Sequence, residues 1–218
     1  MSTLPETSFT LHGSCNCKAI RYVLPVPALQ SRQIWIPASE SAGQGDIRVP
    51  FFSIDHCNDC RQATGSLLNF WMVAGRSDLK FQCLPRDGGE ERIQLSTEDL
   101  IFPSPTSEKT FIAHYTSSRM EAFNTDVIRS FCGRCGTGMS CSVTPWPLQG
   151  VGATCSIAMG TLDREDLEKE GVRPEKHLFC DVAIDWVVKM LSEGDQSLHG
   201  SGTALPKHPG WHQGEFVQ

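Results

Sequence analysis

Residues 131–138, "FCGRCGTG", place two cysteines three positions apart inside a glycine-rich turn. Gly133 and Gly136 give the backbone the freedom to curl back, so Cys132 and Cys135 can present both sulfurs to one metal ion. The glycines also leave backbone N–H groups that can donate to thiolates. Because a single Cys-x-x-Cys turn is a weak signal, its meaning depends on the other cysteines of the chain.

A second cysteine pair lies near the N-terminus, in "GSCNC" at residues 13–17. Residues two apart in a strand point to the same side, so Cys15 and Cys17 can also face one metal. Two pairs supply four sulfurs, the tetrahedral complement of a closed structural zinc site, which would tie the two ends of the domain together. We therefore predict that the two pairs form one zinc site, with the ligands Cys15, Cys17, Cys132 and Cys135. The alternative is that these four cysteines are thiols without a metal.

A third pair, Cys57 and Cys60, stands in "SIDHCNDCRQ" at residues 53–62 and has no further cysteine beside it. Asp55 and His56 are the nearby candidates for a third ligand. Asp55 is two positions before Cys57, so the alternation of a strand favours it over His56. Three protein ligands with one open position are typical of a catalytic zinc site.

The remaining four cysteines stand alone among apolar or small residues. Such cysteines behave as small buried hydrophobes, and we predict that role for Cys83, Cys141, Cys155 and Cys180. The N-terminal stretch has no basic region followed by an apolar one, so it does not resemble a signal peptide. We therefore predict a cytoplasmic protein, in which ten cysteines indicate metal binding or catalysis better than disulfides.

The overall charge argues against two classes of partner. The 218 residues carry a formal charge of −6 with no basic run, whereas nucleic acids and anionic membranes attract clustered Lys and Arg. No stretch approaches the roughly 18 apolar residues of a membrane-spanning helix. The partner we predict is a small-molecule substrate.

Strand patterns dominate the chain. The segment 9–26 predicts two strands around a glycine turn, 49–57 predicts a strand that leads into the third cysteine pair, and the apolar run 66–75 predicts a buried strand. Polar residues at 37–46 and 85–110 indicate long surface insertions, although "ERIQL" in the second could pair as a strand.

Two short helices complete the expected fold. "TLDREDLEKEG" (161–171) has Asp163 as a candidate N-cap, and "AIDWVVKMLSEG" (183–194) carries apolar residues at helical spacing. We predict a mostly β single domain over residues 9–193, with long loop insertions and one or two short helices. Residues 194–218 are predicted to form a loosely ordered C-terminal tail.

Three motifs in order carry a family resemblance: "GSCNCKAIRY", "HCNDCRQATGS" and "RSFCGRCGTGMS". They resemble the glutathione-dependent formaldehyde-activating enzyme family, which shares the centromere protein V domain and the Mss4-like zinc-binding β-sheet fold. A later "GTLD…HLF…W" is similar to the C-terminal segment of that family, so the resemblance spans about residues 9–187. It implies a structural zinc on the first and last motifs and a catalytic zinc on the middle one.

The middle motif departs from the family at one position. The family usually has a cysteine where this chain has Asp55. A carboxylate oxygen is a harder ligand than a thiolate, so a zinc held by Asp55, Cys57 and Cys60 would be a stronger Lewis acid and more easily lost.

The resemblance implies a carbon–sulfur lyase that acts on the adduct of a thiol and a small aldehyde. Glutathione is the possible thiol co-substrate. The candidate catalytic residues are Asp55, His56, Cys57, Cys60 and Arg61. Within this set, Arg61 could steady an anionic group or form a structural ion pair, and His56 could be a base or a satisfied histidine. The alternatives are addition, elimination or isomerisation of another reactive carbonyl compound, and a non-catalytic zinc-stabilised interaction module.

Overall fold

The computed structural model describes residues 2–41, 43, 45–120, 124–147 and 152–198, and the predicted tail lies outside it beyond residue 198. The prediction of a mostly β protein with few helices is confirmed. In chain order the strands are β1 (Phe9–Ser14), β2 (Ile20–Val26), β3 (Ile34–Ile36), β4 (Ile47–Arg48), β5 (Phe51–Asp55), β6 (Asn69–Gly75), β7 (Lys80–Cys83), β8 (Ile93–Leu95), β9 (Ile112–Met120), β10 (Thr125–Cys132), β11 (Gly138–Thr144), β12 (Thr154–Ala158) and β13 (Lys176–Leu178).

The strands form two main sheets and one small ribbon. The smaller main sheet has the order β1-β2-β7-β8, and the larger has the order β13-β5-β6-β12-β11-β10-β9. In the larger sheet β13 runs parallel to β5, while the other pairs are antiparallel. Strands β3 and β4 pair separately.

The helices are short. They are α1 (Asn58–Thr64), α2 (Glu98–Ile101), α3 (Arg164–Leu167) and α4 (Asp185–Glu193). The first three lie between strands, and α4 follows the last described strand. Asp163 is the N-cap of α3, as predicted. Of the apolar residues that the spacing places on one face of α4, Val187 is buried, whereas Val188 and Leu191 are exposed. Within the described residues, no helix has the length and apolar character needed to cross a bilayer.

The two faces of the larger sheet belong to different apolar clusters. Neighbouring residues of a strand point to opposite faces, and Phe52 accordingly packs with Met72 against the smaller sheet. Phe51 points the other way and packs with Trp71 and Cys60. Because Asp55 is four residues after Phe51, it lies on this second face, away from the smaller sheet.

The segment 85–110 is not only a surface insertion, contrary to our main expectation, and the alternative that its "ERIQL" pairs as a strand is confirmed by β8. It contains β8 and α2, and its apolar residues Leu95, Leu100 and Ile101 are buried. The helix α2 has a single turn, so the sequence shows no repeated helical period there. Apolar side chains at only a few positions therefore fix this segment to the core.

Candidate metal centres and the adjoining cavity

The two outer cysteine pairs come together at one point between the sheets. Cys15 and Cys17 lie in the turn between β1 and β2 of the smaller sheet. Cys132 is the last residue of β10 and Cys135 lies in the turn that leads to β11, both from the larger sheet. The four sulfurs all lie within 4.8 Å of one another, so this group could hold a metal ion.

The sulfur separations fit a tetrahedral ion. Bonds of about 2.3 Å, the length found for zinc and sulfur, place tetrahedral sulfurs about 3.8 Å apart. The Cys15 and Cys17 sulfurs are 3.6 Å apart, and the Cys17 and Cys132 sulfurs are 3.8 Å apart. Cys15 and Cys132 are fully buried, which closes the group to solvent on one side.

Backbone and hydroxyl donors surround these sulfurs. The Ile20 N–H donates to the Cys15 sulfur over 3.2 Å, and the Thr137 hydroxyl lies 3.2 Å from the Cys135 sulfur. Burial raises the pKa of Cys15. Burial also acts to raise the pKa of Cys135, but hydrogen bonds with Thr137, together with those with Cys17, outweigh it and lower that pKa to about 6. Metal binding requires thiolates, and the lowered pKa of Cys135 favours the thiolate form at that position.

The second group consists of Asp55, Cys57 and Cys60, whose ligand atoms also lie within 4.8 Å of one another. Asp55 ends β5, Cys57 precedes α1, and Cys60 lies in its first turn. The grouping contains Asp55 and not His56, as the alternation of the strand favoured, and the role of Asp55 as a metal ligand stays a prediction. The His56 ring lies elsewhere, with its Nε2 3.0 Å from Nδ1 of His177.

Asp55 is held by two hydrogen bonds. The backbone N–H of Cys57 donates to its Oδ1 and the indole N–H of Trp71 donates to its Oδ2, each over 2.7 Å. The residue is only 3% exposed. Each carboxylate oxygen can accept a second interaction, so these bonds orient Asp55 without removing it as a ligand.

Arg129 of β10 is a site residue that the sequence analysis missed. Its guanidinium lies 2.6 Å from the Asp59 carboxylate and 3.4 Å from the Cys60 sulfur, and it is 4% exposed. Burial acts to lower the pKa of Arg129, but the nearby Cys141, Cys60 and Asp59 side chains outweigh it and raise that pKa. The available signal was the alternation within this strand, in which Arg129 falls on the same face as the buried Thr125 and Val127.

Cys141 of β11 also belongs to this region. It pairs with Arg129 across the sheet, and contact with its thiol, together with burial, raises the pKa of Cys60 to about 12. The expectation that the four isolated cysteines are buried holds for Cys83 and Cys155, whereas Cys141 is half-buried and Cys180 is exposed. For those two the expectation was wrong, because adjacency in sequence says little about exposure in turns and at cavity walls.

A cavity of about 310 Å³ adjoins Asp55, Cys57 and Cys60, and Arg129 and Cys141 also line it. Large apolar side chains contributed by several strands and loops make up much of its wall. They include Trp35, Trp71, Val73, Val127, Trp146 and Phe179. All three candidate ligands of this group line the cavity, which could receive a small molecule, whereas a space of about 270 Å³ beside the four-cysteine group touches only Cys15 of its four cysteines.

A larger cavity, of about 670 Å³, lies beyond Arg129 and Trp71, which line both spaces. His114 and Tyr115 line this larger cavity, but the candidate ligands Asp55, Cys57 and Cys60 do not. Size alone would favour the larger cavity. We assign the chemistry to the smaller one because, of these two cavities, it is the one whose wall contains the candidate sulfur and carboxylate ligands.

Two predicted catalytic residues do not line the smaller cavity, as far as the described residues show. Arg61 lies in α1, where its Nε has no hydrogen-bond partner among them. His56 is buried beside His177, and burial lowers its pKa. Catalytic roles for these two residues stay predictions, and Arg129 is the cation in contact with the site.

We expect metal affinity at the second group to rank Cys, then Asp, then Ala at position 55. Asp55→Cys supplies a softer donor, whereas Asp55→Ala leaves two sulfurs and frees the Trp71 and Cys57 N–H groups. Competition with a chromogenic chelator measures the order. Trp71→Phe is a comparison variant that removes one hydrogen bond to Asp55 but no ligand. We expect it to lower the metal affinity by about 10- to 100-fold. Equal affinities for all three residues at position 55 would show that Asp55 only positions its neighbours.

Comparison of the chain with models of known protein families and with curated proteins finds no match.

Proposed function

We propose that this protein is a zinc-dependent enzyme of the carbon–sulfur lyase type, acting on the adduct of a thiol and a small aldehyde or another reactive carbonyl compound. We further propose that it belongs to the glutathione-dependent formaldehyde-activating and centromere protein V family, with its Mss4-like fold. One observation carries the proposal: Asp55, Cys57 and Cys60 form a potential metal site that adjoins a cavity and is separate from the four-cysteine group.

The reaction joins or separates sulfur and carbon. In the direction of addition, the thiol sulfur bonds to the carbonyl carbon and the carbonyl π electrons move to oxygen. The thiol loses one proton and the oxygen gains one, so the overall proton count is unchanged. The reverse reaction breaks the carbon–sulfur bond and restores thiol and carbonyl. Zinc held by Asp55, Cys57 and Cys60 would supply one property, the ionisation of a bound thiol near neutral pH.

The side chains around the cavity support this chemistry. Arg129 presents a buried positive charge 3.4 Å from the Cys60 sulfur, which favours negative charge on sulfur in this part of the cavity. Asp59 holds the guanidinium in place over 2.6 Å. The apolar walls exclude water and so strengthen these electrostatic interactions.

Staged removal of metal tests the proposal. We expect two equivalents of zinc in the purified protein. A mild chelator should remove the equivalent at Asp55, Cys57 and Cys60 first, because a carboxylate is the harder ligand and the cavity gives access. Activity should fall with this first equivalent while the thermal midpoint stays nearly constant. The proposal would be contradicted if metal-replete protein held only one equivalent of zinc. It would also be contradicted if activity survived removal of the first equivalent.

A further inference from the structure

The wall of the smaller cavity carries little charge that a ligand could use. Three charged side chains line it in the described part of the chain: Asp55, Asp59 and Arg129. Arg129 is already paired with Asp59, and Asp55 accepts its two hydrogen bonds from Trp71 and Cys57. No unpaired basic side chain among these lining residues faces the cavity.

The neighbouring basic residue is also engaged. Arg76 lies behind the wall, donates to the Ser142 hydroxyl over 3.0 Å and to the Val143 carbonyl, and packs its guanidinium over the Trp146 ring at 5.8 Å. Its side chain is 11% exposed, and Glu98 lies 3.9 Å away. A carboxylate that enters the cavity away from the proposed metal would therefore lose hydration without gaining a free charged partner among these side chains.

Aromatic side chains form much of the remaining surface. Trp35, Trp71 and Trp146 line the cavity together with Phe179. Phe179 has φ +57° and is 53% exposed. The left-handed region is rare for a bulky residue, and such strain persists where the surrounding structure requires the position. The strained backbone thus holds an exposed phenyl ring beside the cavity.

We propose that the cavity binds an uncharged thiol or carbonyl compound with an aromatic or branched apolar group, in preference to glutathione. This inference rests on the proposed function, because it names the substrate class of the same site. Glutathione carries two carboxylates and one ammonium group, none of which meets a free partner of opposite charge in this wall. An apolar substituent packs against the tryptophan rings and displaces water from them.

Thiol binding to cobalt-substituted protein tests the inference, since each further thiolate bound to cobalt(II) adds to the charge-transfer absorption that the cysteine ligands already give. The probes are 2-phenylethanethiol, glutathione and 3-mercaptopropionate, the last separating charge from size. We expect the dissociation constant of 2-phenylethanethiol to be at least tenfold lower than those of the two charged thiols. Glutathione binding as tightly as 2-phenylethanethiol would overturn the inference and leave the proposed thiol site standing. If no thiol changed the spectrum, the proposed function and the inference would fail together.

Variants locate the effect in this cavity. Phe179→Ala removes an exposed ring and should weaken 2-phenylethanethiol at least threefold without affecting glutathione. Trp146→Ala should act in the same direction and more strongly. Phe70→Ala is the matched control, because Phe70 is also exposed but lines only the larger cavity. An equal loss for both thiols in the Phe179 and Trp146 variants, or a loss in the Phe70 variant alone, would contradict the assignment.

Discussion

Cys132→Ser should unfold or aggregate the protein. Cys132 is fully buried where β10 ends, and its sulfur lies 3.8 Å from that of Cys17 in the opposite sheet. We expect zinc at this group to contribute on the order of 10 kcal/mol to folding, comparable to the whole stability of a typical domain. Loss of one thiolate should therefore abolish cooperative unfolding, measured by circular dichroism, and remove the tightly bound zinc equivalent.

Cys83→Ser is the matched control for that variant. Cys83 is equally buried but belongs to neither sulfur group, so its replacement should cost only the burial of one hydroxyl, about 1–3 kcal/mol. Its zinc content should stay unchanged. A soluble Cys132 variant with the parent midpoint and full zinc content would show that the four cysteines hold no structural metal.

Cys57→Ser should abolish activity and leave the fold intact. Cys57 is half-buried beside the cavity, and its group lies on the face of the larger sheet away from the smaller one. Removing one of only three ligands should release the metal and lower kcat/KM by about 1,000-fold, which corresponds to about 4 kcal/mol of transition-state stabilisation. Steady-state kinetics, zinc content and the thermal midpoint should be measured on the same preparation.

The exposed Cys180 provides the control for this activity loss. Cys180→Ser lies outside both sulfur groups and should preserve kcat/KM and both zinc equivalents. If the Cys57 variant kept its activity, the middle motif would not be the catalytic site. If it lost its fold together with activity, the second group would be structural.

Local patterns predicted the parts of the molecule that depend on local geometry. Alternation predicted the grouping of Asp55 with Cys57, and glycine placement predicted the Cys-x-x-Cys turn at Cys132. The two strands in residues 9–26 were also predicted, but the position of their turn was wrong, because Gly13 lies within β1 and Cys15 and Cys17 lie in the turn and not in a strand. Each involves residues close in sequence. The spacing also favoured combining the two outer pairs, because neither pair alone completes a tetrahedral site.

The features that depend on contacts between distant parts of the chain could not be predicted from the sequence. Arg129 and Cys141 reach the second group only because β10 and β11 pair in one particular register and β10 lies near α1. No local pattern specifies that register. The burial of Leu100 in the segment 85–110 was missed for a related reason, since one helical turn has too few apolar positions to show a period.

The joining of two sheets by four cysteines has a consequence for biosynthesis. Along the chain, 115 residues separate Cys17 from Cys132. Closing such a loop costs about 4 kcal/mol of chain entropy, which two sulfurs alone recover poorly. At about 5–20 residues per second, a ribosome needs roughly 6–23 s to make the second pair after the first. A metal ion held by all four cysteines could therefore bind only after the late strands are made, so the proposed structural zinc would be needed after most of the chain has been translated.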